Sequence, residues 1–353
     1  MNSKFFLAAN SADGFYSVFD KCFDAKKNWL CYIIKGGPGT GKSSFMRRLY
    51  NTAISKNIPA TLCMCSSDPE SLDAVIFPTL KKVIMDGTAP HTVDPKFPAI
   101  CEQIINTGEF WNAEALQLDK QKVIGLIEKN SAYHKIASSY IKASGKASRD
   151  NFSLSLNATD IEKCINFAIT CAEKNIPITK NTGYSWIRFL GGITPKGIIH
   201  YTETVNAIKN KIIIRDEYGA AASIILSVFN DIAVSRGHET ITIKNELLPT
   251  LITDAIIIPE LPFAVCRETS HIKYDSNEKR IHASRFSDAL YIKNNKQKMA
   301  FNRKLSQKLL DSAVDTLKSA KATHDKIEEY YVDAMDFTAL SRYYERFEEK
   351  FFA

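Results

Sequence analysis

A glycine-rich segment carries the strongest chemical signal in this 353-residue chain. Residues 31–34 form a short apolar run typical of a buried strand, and residues 45–50 are typical of the start of a helix. The segment between them fits Gly-x-x-x-x-Gly-Lys-Ser, the pattern of a phosphate-binding P-loop. We therefore predict a nucleotide-binding loop made of Gly36, Gly37, Pro38, Gly39, Thr40, Gly41, Lys42, Ser43 and Ser44.

Each residue type in this loop has a chemical reason. Glycines let the backbone turn tightly and aim successive N–H groups at phosphate oxygens. The helix that follows adds its positive N-terminal end. Lys42 can reach the β- and γ-phosphates, and the Ser43 hydroxyl can ligate Mg²⁺. The sequence thus predicts ATP and Mg²⁺ as ligands; ATP is preferred over GTP on abundance and on the resemblance given below, since no Asn-Lys-x-Asp string that reads guanine is present.

A magnesium site also needs a carboxylate, and Asp86 ends the next suitable apolar run. We predict that Ser43 and Asp86 hold the metal and that Lys42, Asp86 and His91 are catalytic. Asp86 could instead simply open the Asp-Gly turn, with Asp68 or Asp73 as the metal carboxylate, and His91 could be a solvated loop residue. No glutamate directly follows Asp86, so either the base that activates a nucleophile comes from elsewhere or catalysis is slow.

Internal repeats divide the chain into two halves. Residues 32–35 match residues 212–215 at an offset of about 180, and the matches at 13–16, 72–76, 88–91 and 146–150 occur in the same order. We expect two homologous halves, residues 1–180 and 186–353. Each half is predicted to end in a helical arm, at about residues 112–178 and 287–353.

The second copy of the loop lacks the residues that bind phosphate. At the same offset Gly36 becomes Asp216, Gly37 becomes Glu217, and Lys42 becomes Ala222, whereas Gly219 and Ser223 are retained. Two carboxylates would repel a triphosphate there, and the lysine is missing. We predict a degenerate site that serves packing, regulation or contact with a partner.

The fold class that follows is α/β: two tandem P-loop NTPase-like halves, each a three-layer αβα unit with a mostly parallel sheet. Apolar residues at helical spacing in both arms indicate helix-packing seams. They include Val123, Tyr133 and Ala137 in the first arm and Leu305, Ala313 and Ile327 in the second.

Composition excludes several classes of protein. A chain that is 45% hydrophobic and 24% charged is typical of a folded globular protein. We predict no signal peptide, no membrane span and a cytoplasmic location. The eight cysteines are dispersed and favour buried thiols over a metal site, even at Cys63 and Cys65. A net charge of +7 spread along the chain does not indicate nucleic-acid binding.

These motifs resemble those of a family of bacterial proteins of about this length, described only as ATP-binding proteins or ATPases and built as two tandem P-loop halves. The resemblance covers nearly the whole chain and rests on residues 14–17, 35–44, 66–73, 86–91, 194–197 and 330–337. It implies a tandem P-loop fold and ATP binding, but no substrate. The chain departs from the family in its degenerate second loop.

Three functions remain open from sequence. The first is an ATPase that couples hydrolysis to a conformational change between the halves and passes it to an unknown protein or small-molecule partner. The second is a kinase that transfers the γ-phosphoryl group to a small acceptor, and the third is a nucleotide-gated switch without turnover. An arginine from the second half would favour the ATPase; the candidates are Arg188, Arg267, Arg280 and Arg285.

Overall fold

Two six-stranded sheets, one in each half of the chain, organise the protein. The computed structural model describes residues 3–89, 92–275 and 280–353. Its fold is α/β, with two sheet–helix halves and sheets in which parallel pairs outnumber antiparallel ones. His91 lies outside the described residues, so its predicted role stays a prediction.

The first sheet has the order β1-β5-β6-β7-β4-β8. Its strand β4 is the apolar run before the glycine loop, and β7 and β8 pair parallel with β4 on either side. A separate hairpin joins β2 and β3. The strands are β1 Ser3–Phe6, β2 Ala8–Ser11, β3 Gly14–Ser17, β4 Leu30–Lys35, β5 Thr61–Met64, β6 Leu72–Phe77, β7 Lys82–Asp86 and β8 Glu102–Asn106.

The second sheet has the order β9-β13-β14-β15-β12-β16, which is the order of the first sheet with every strand replaced by its counterpart. Parallel and antiparallel pairs also fall at the same places, and β10 and β11 form the matching hairpin. The strands are β9 Tyr184–Arg188, β10 Gly191–Thr194, β11 Gly197–His200, β12 Asn210–Arg215, β13 Glu239–Lys244, β14 Thr253–Ile258, β15 Phe263–Glu268 and β16 Ile281–His282.

Two long helices run side by side and contact the hairpins, at β2 in the first half and at β10 and β11 in the second. Antiparallel packing of α3 and α7 is fixed by hydrogen bonds such as Ser144 Oγ to Ser306 Oγ at 2.7 Å and Asn151 Nδ2 to the Met299 carbonyl at 2.9 Å. Across the described ranges, no helix combines the length and the apolar character needed to cross a membrane. The helices are α1 Lys42–Ser55, α2 Ala113–Leu118, α3 Lys120–Asn157, α4 Ile161–Asn175, α5 Glu203–Asn206, α6 Ala220–Ser235, α7 Ala289–Asp333 and α8 Phe337–Phe352.

The last helix of each half packs on the other half. Helix α8 covers the first sheet, where Tyr344 stacks on Phe45 of α1 with ring centroids 3.6 Å apart and Phe351 contacts Phe77. Helix α4 instead joins the second core, and Cys164 lies in one buried cluster with Phe229 of α6. The division predicted near residue 180 therefore separates the sheets but not their covering helices, because the halves exchange α4 and α8.

Candidate functional site

The loop between β4 and α1 contains two glycines in the left-handed region. Gly39 and Gly41 have φ of +69° and +77°, a left-handed conformation that only glycine adopts without strain. Gly41 is also the N-cap residue of α1, so the loop leads directly into a helix N-terminus. Left-handed residues in such a turn direct successive N–H groups toward one point, which is the geometry that binds phosphate oxygens.

Lys42 and Asp86 come together at this loop. Asp86 ends β7 and pairs with Ile34 of β4, so its carboxylate reaches the edge of the sheet where α1 starts. Its Oδ2 lies 3.6 Å from Lys42 Nζ, and only 11% and 16% of the Lys42 and Asp86 side chains are exposed. Lys42 Nζ also donates to the carbonyls of Gly37 at 2.6 Å and Gly36 at 3.2 Å. The ammonium group is thus held over the loop by oxygen atoms.

The predicted metal ligands lie on the same cavity. Ser43 Oγ accepts the Leu72 N–H at 2.9 Å, which fixes the hydroxyl and leaves its own proton and a lone pair for a ligand. Asp86 Oδ1 accepts from the N–H and the hydroxyl of Thr88, at 2.9 and 2.6 Å. Asp86 therefore opens a turn and also faces Lys42. A hydroxyl and a carboxylate oxygen on one cavity wall fit the preference of Mg²⁺ for oxygen ligands.

The rival carboxylates line the cavity too. Asp73 lies on β6 just beyond the Ala74–Met85 pair, next to Asp86, and is only 4% exposed. Burial raises the pKa of Asp73 well above its usual range; an interaction with Cys65 opposes this, and the nearby charges of Asp86 and Asp68 add to it. Asp68 accepts from Ser71 Oγ at 3.0 Å and lies 3.4 Å from Lys321 of α7.

A cavity of about 1010 Å³ opens from the loop, and the two long helices form its far wall. Helix α3 contributes Asn130 and His134, and α7 contributes Lys321, His324 and Glu328. Sequence reasoning missed all five, because it treated the arms only as packing seams. The one available signal was the occurrence of histidine in both arms, which helix packing does not require.

Helix α7 also lies directly against the glycines of the loop. A Cβ on Gly37 would come within 2.6 Å of the Tyr331 ring, and one on Gly39 within 2.9 Å of Val332 Cγ2 and 3.0 Å of the Glu328 carbonyl. The glycines therefore serve close approach as well as turning. Any movement of the loop must move the end of α7 or separate from it.

The second loop contains its own anion. Oδ1 of Asp216 accepts from the N–H groups of Tyr218 at 3.1 Å and Gly219 at 2.9 Å, and Oδ2 accepts from the Ala222 N–H at 2.9 Å. Asp216 is only 4% exposed. Gly219, with φ of +85°, precedes α6 as Gly41 precedes α1. Ser223 Oγ accepts the Thr253 N–H at 3.1 Å, as Ser43 accepts that of Leu72.

Arg267 takes the position of Asp86 in the second sheet. It pairs with Ile214 of β12 as Asp86 pairs with Ile34 of β4. Its guanidinium lies 2.6 Å from Asp254 Oδ1 and donates to the Asp216 carbonyl at 3.0 Å. The register places the counterpart of Asp86 181 residues later, one more than the predicted offset. The second site thus also lacks the proposed metal carboxylate.

None of the four candidate arginines lines the first cavity within the described residues. Arg267 is engaged in the second half, as above. Arg188 donates to the carbonyls of Ile187 and Cys22, Arg280 contacts Glu268, and Arg285 is exposed on a short turn next to α7. The cationic side chains that line the first cavity are Lys42, Arg47 and Lys321.

A smaller cavity of about 580 Å³ lies over the second loop. Here His200 Nε2 lies 3.3 Å from Glu246 Oε1. Burial lowers the pKa of His200, but the charge of Glu246 and its hydrogen bond outweigh burial and leave this pKa raised. Burial raises the pKa of Glu246, but the charge and hydrogen bond of His200 outweigh burial. The net result is a lowered pKa for Glu246.

The cysteines do not form a metal site among the described residues. Cys63 is fully buried, and burial raises the pKa of its thiol. One group on α7, made of His324, Asp325 and Glu328, has ligand atoms close enough to share a cation, but Lys321 engages Asp325.

Comparison with protein-family models, with curated proteins and with solved structures gives no match.

Proposed function

We propose that this protein is a P-loop NTPase that binds and hydrolyses Mg²⁺-ATP at one site, in the first half. The observation that carries the proposal is the placement of Lys42 between the carbonyls of Gly36 and Gly37 and the carboxylate of Asp86, at the mouth of a large cavity. A lysine, a glycine turn and an aspartate on the adjacent parallel strand form the arrangement that P-loop enzymes use for phosphoryl transfer.

Each part of the proposed site has its own role in phosphoryl transfer. N–H groups of residues 37–44 and the start of α1 hold the β- and γ-phosphates, and Lys42 neutralises the charge that develops on the transferred group. Ser43 and Asp86 would hold Mg²⁺, which when bound would supply positive charge to offset that of the phosphates. Burial, together with the charges of Asp86 and Asp68, raises the pKa of Asp73, which favours its uncharged form beside the phosphates.

The duplication inferred from sequence supports the same proposal. The strand orders of the two sheets correspond, and the paired serines Ser43 and Ser223 make equivalent hydrogen bonds. We interpret the chain as two P-loop halves of common origin. In the second half Asp216 occupies the place that phosphate takes in the first, so one nucleotide binds per chain.

Asp86→Asn tests the chemistry. Turnover of ATP in Mg²⁺ should fall on the order of 100-fold or more, since the variant loses an electrostatic contact to the metal in the transition state. Binding of ATP in EDTA should stay within about threefold, a change worth less than about 1 kcal/mol. The assay follows the label of γ-³²P-ATP and resolves free phosphate from phosphorylated products of a small-molecule extract.

Asp94→Asn, at an exposed carboxylate that pairs with Lys35, is the matched control and should leave turnover unchanged. Label appearing in an acceptor instead of in free phosphate would replace hydrolysis by kinase chemistry. ATP binding without release of label would identify a switch. An Asp86→Asn variant with the parental rate would show that Asp86 does not hold the metal.

A further inference from the structure

Two buried polar atoms on the far wall of the first cavity have no partner. Asn130 Oδ1 on α3 and His324 Nδ1 on α7 are inaccessible to solvent, and neither makes a hydrogen bond with any described residue. The nearest acidic oxygen to His324 Nδ1, Glu328 Oε1, is 3.8 Å away, which is too far for a hydrogen bond. Buried polar atoms are almost always satisfied in native proteins, so these two call for a ligand.

Among the described residues, the α3 and α7 side chains of this wall include one lysine, Lys321, and one carboxylate, Glu328. Burial lowers the pKa of His134, and the neighbouring His324 lowers it further, so that this ring is neutral at pH 7. Lys321 is occupied by Asp68 and Asp325. Apolar side chains complete this part of the lining: Ile127, Ala137, Ile141, Leu317 and Ala320. Such a wall fits a flat uncharged ring with hydrogen-bonding edges and does not fit a second anion.

The path of α7 connects this wall to the phosphate loop. The helix touches Gly39 at Glu328 and Val332, and His324 lies four residues before Glu328, about 6 Å along the axis. A ligand whose phosphates lie in the loop can therefore extend along α7 and reach His324 and Asn130 with its other end. A nucleotide has this shape: a charged chain at one end and a neutral planar base at the other.

We propose that Asn130 and His324 form the nucleobase site of the first cavity and that the base is adenine; this rests on the proposed function. The amide of asparagine matches adenine, because its oxygen accepts from N6–H while its NH₂ group donates to N7. Guanine presents two acceptors, O6 and N7, which arginine or lysine binds. The nearest such cation, Lys321, is engaged.

The site joins the two halves of the chain. Asn130 belongs to α3 of the first half and His324 to α7 of the second, so a bound nucleotide contacts both. The base then holds α3 to α7 at the same place where α7 touches the loop glycines. ATP binding thereby has a direct contact through which it acts on the second half.

Equilibrium binding of ATP, GTP and inorganic tripolyphosphate tests this site. Asn130→Ala should weaken ATP about tenfold, because base hydrogen bonds are lost and a buried edge is left unpaired. Affinity for tripolyphosphate, which has no base, should not change. The parent should prefer ATP over GTP, and the variant should lose most of this preference. His324→Ala should act in the same direction.

Asn294→Ala is the matched control, since it makes the same substitution at an exposed position of α7. Equal ATP affinity in Asn130→Ala and the parent would overturn the base site while leaving the P-loop proposal intact. Equal weakening of ATP and tripolyphosphate would also overturn it, by showing that Asn130 only supports the fold. Absence of binding of both ligands to the parent would instead refute the proposed function.

Discussion

The two loops of this protein arrange their charges differently, and the strand beside each loop carries opposite charges, at Asp86 and at Arg267. In the first loop a cation stands on the helix, at Lys42, and a carboxylate on the neighbouring strand, at Asp86. In the second loop the carboxylate lies inside the turn, at Asp216, and the cation on the strand, at Arg267. Both arrangements balance charge locally. Only the first leaves the N–H groups of the turn to a ligand, because in the second the Asp216 side chain binds them.

This difference shows what the turn requires. A backbone that gathers N–H groups at the start of a helix needs an anion, and buried N–H groups without a partner are costly. The second half obtains the anion from its own chain, at Asp216. In the first half we propose that a bound nucleotide supplies it, in the larger cavity of the two. The second half therefore satisfies the N–H groups of its turn without a ligand.

The largest effect that would test the comparison is on the stability of the second half. Asp216→Ala removes the acceptor of three backbone N–H groups, and we expect a loss of about 2–3 kcal/mol in the free energy of unfolding. Urea denaturation followed by circular dichroism measures it. ATP affinity of the first half should be unaffected.

Glu217→Ala is the matched control. This carboxylate accepts from the N–H and hydroxyl of Ser270 at an exposed site, and its loss should cost less than about 1 kcal/mol. If Asp216→Ala is no more destabilising than Glu217→Ala, the second loop does not depend on its internal carboxylate.

A smaller, pH-dependent effect should distinguish the two cavities. His200, whose pKa is raised in the folded state, stabilises the fold below its ordinary pKa of 6.5, and this contribution is lost as pH rises through the folded value. Glu246, whose pKa is lowered in the folded state, stabilises the fold above its ordinary pKa of 4.5, and this contribution is lost as pH falls through the folded value. The pair thus stabilises most between pH 4.5 and 6.5.

His200→Gln should therefore cost about 1 kcal/mol more at about pH 5.5 than at about pH 9. Thermal unfolding at the two pH values, with His282→Gln at an exposed position as control, checks it. An equal loss at both pH values would mean that the two side chains are not an ion pair.

The sequence was sufficient for the local elements of the first site. The glycine spacing and the apolar runs locate the loop, and the strand that ends at Asp86 was identified because burial imposes a continuous apolar pattern. The sequence also shows that Ala222 stands where the second loop would need a lysine. These features depend on residues close together in the chain or on a single strand.

Other features depend on contacts that a linear pattern does not encode. The carboxylate of Asp216 was expected to repel phosphate, but its hydrogen bonds to the turn depend on local backbone geometry. Arg267 is a sequence candidate for the first site, yet its position on β15 directs its side chain to the second loop. The exchange of α4 and α8 was not predictable, since an apolar helix face fits either sheet. The polar wall of the cavity arises only when α3 and α7 meet.

The central claim, one open loop and one closed loop in each chain, is tested most directly by calorimetric titration with ATP. We expect one equivalent of ATP to bind per chain. Lys42→Ala should weaken the affinity at least about 100-fold. Lys142→Ala, which replaces an exposed lysine of α3, should leave the affinity unchanged. Two equivalents per chain, or parental affinity in Lys42→Ala, would contradict the account.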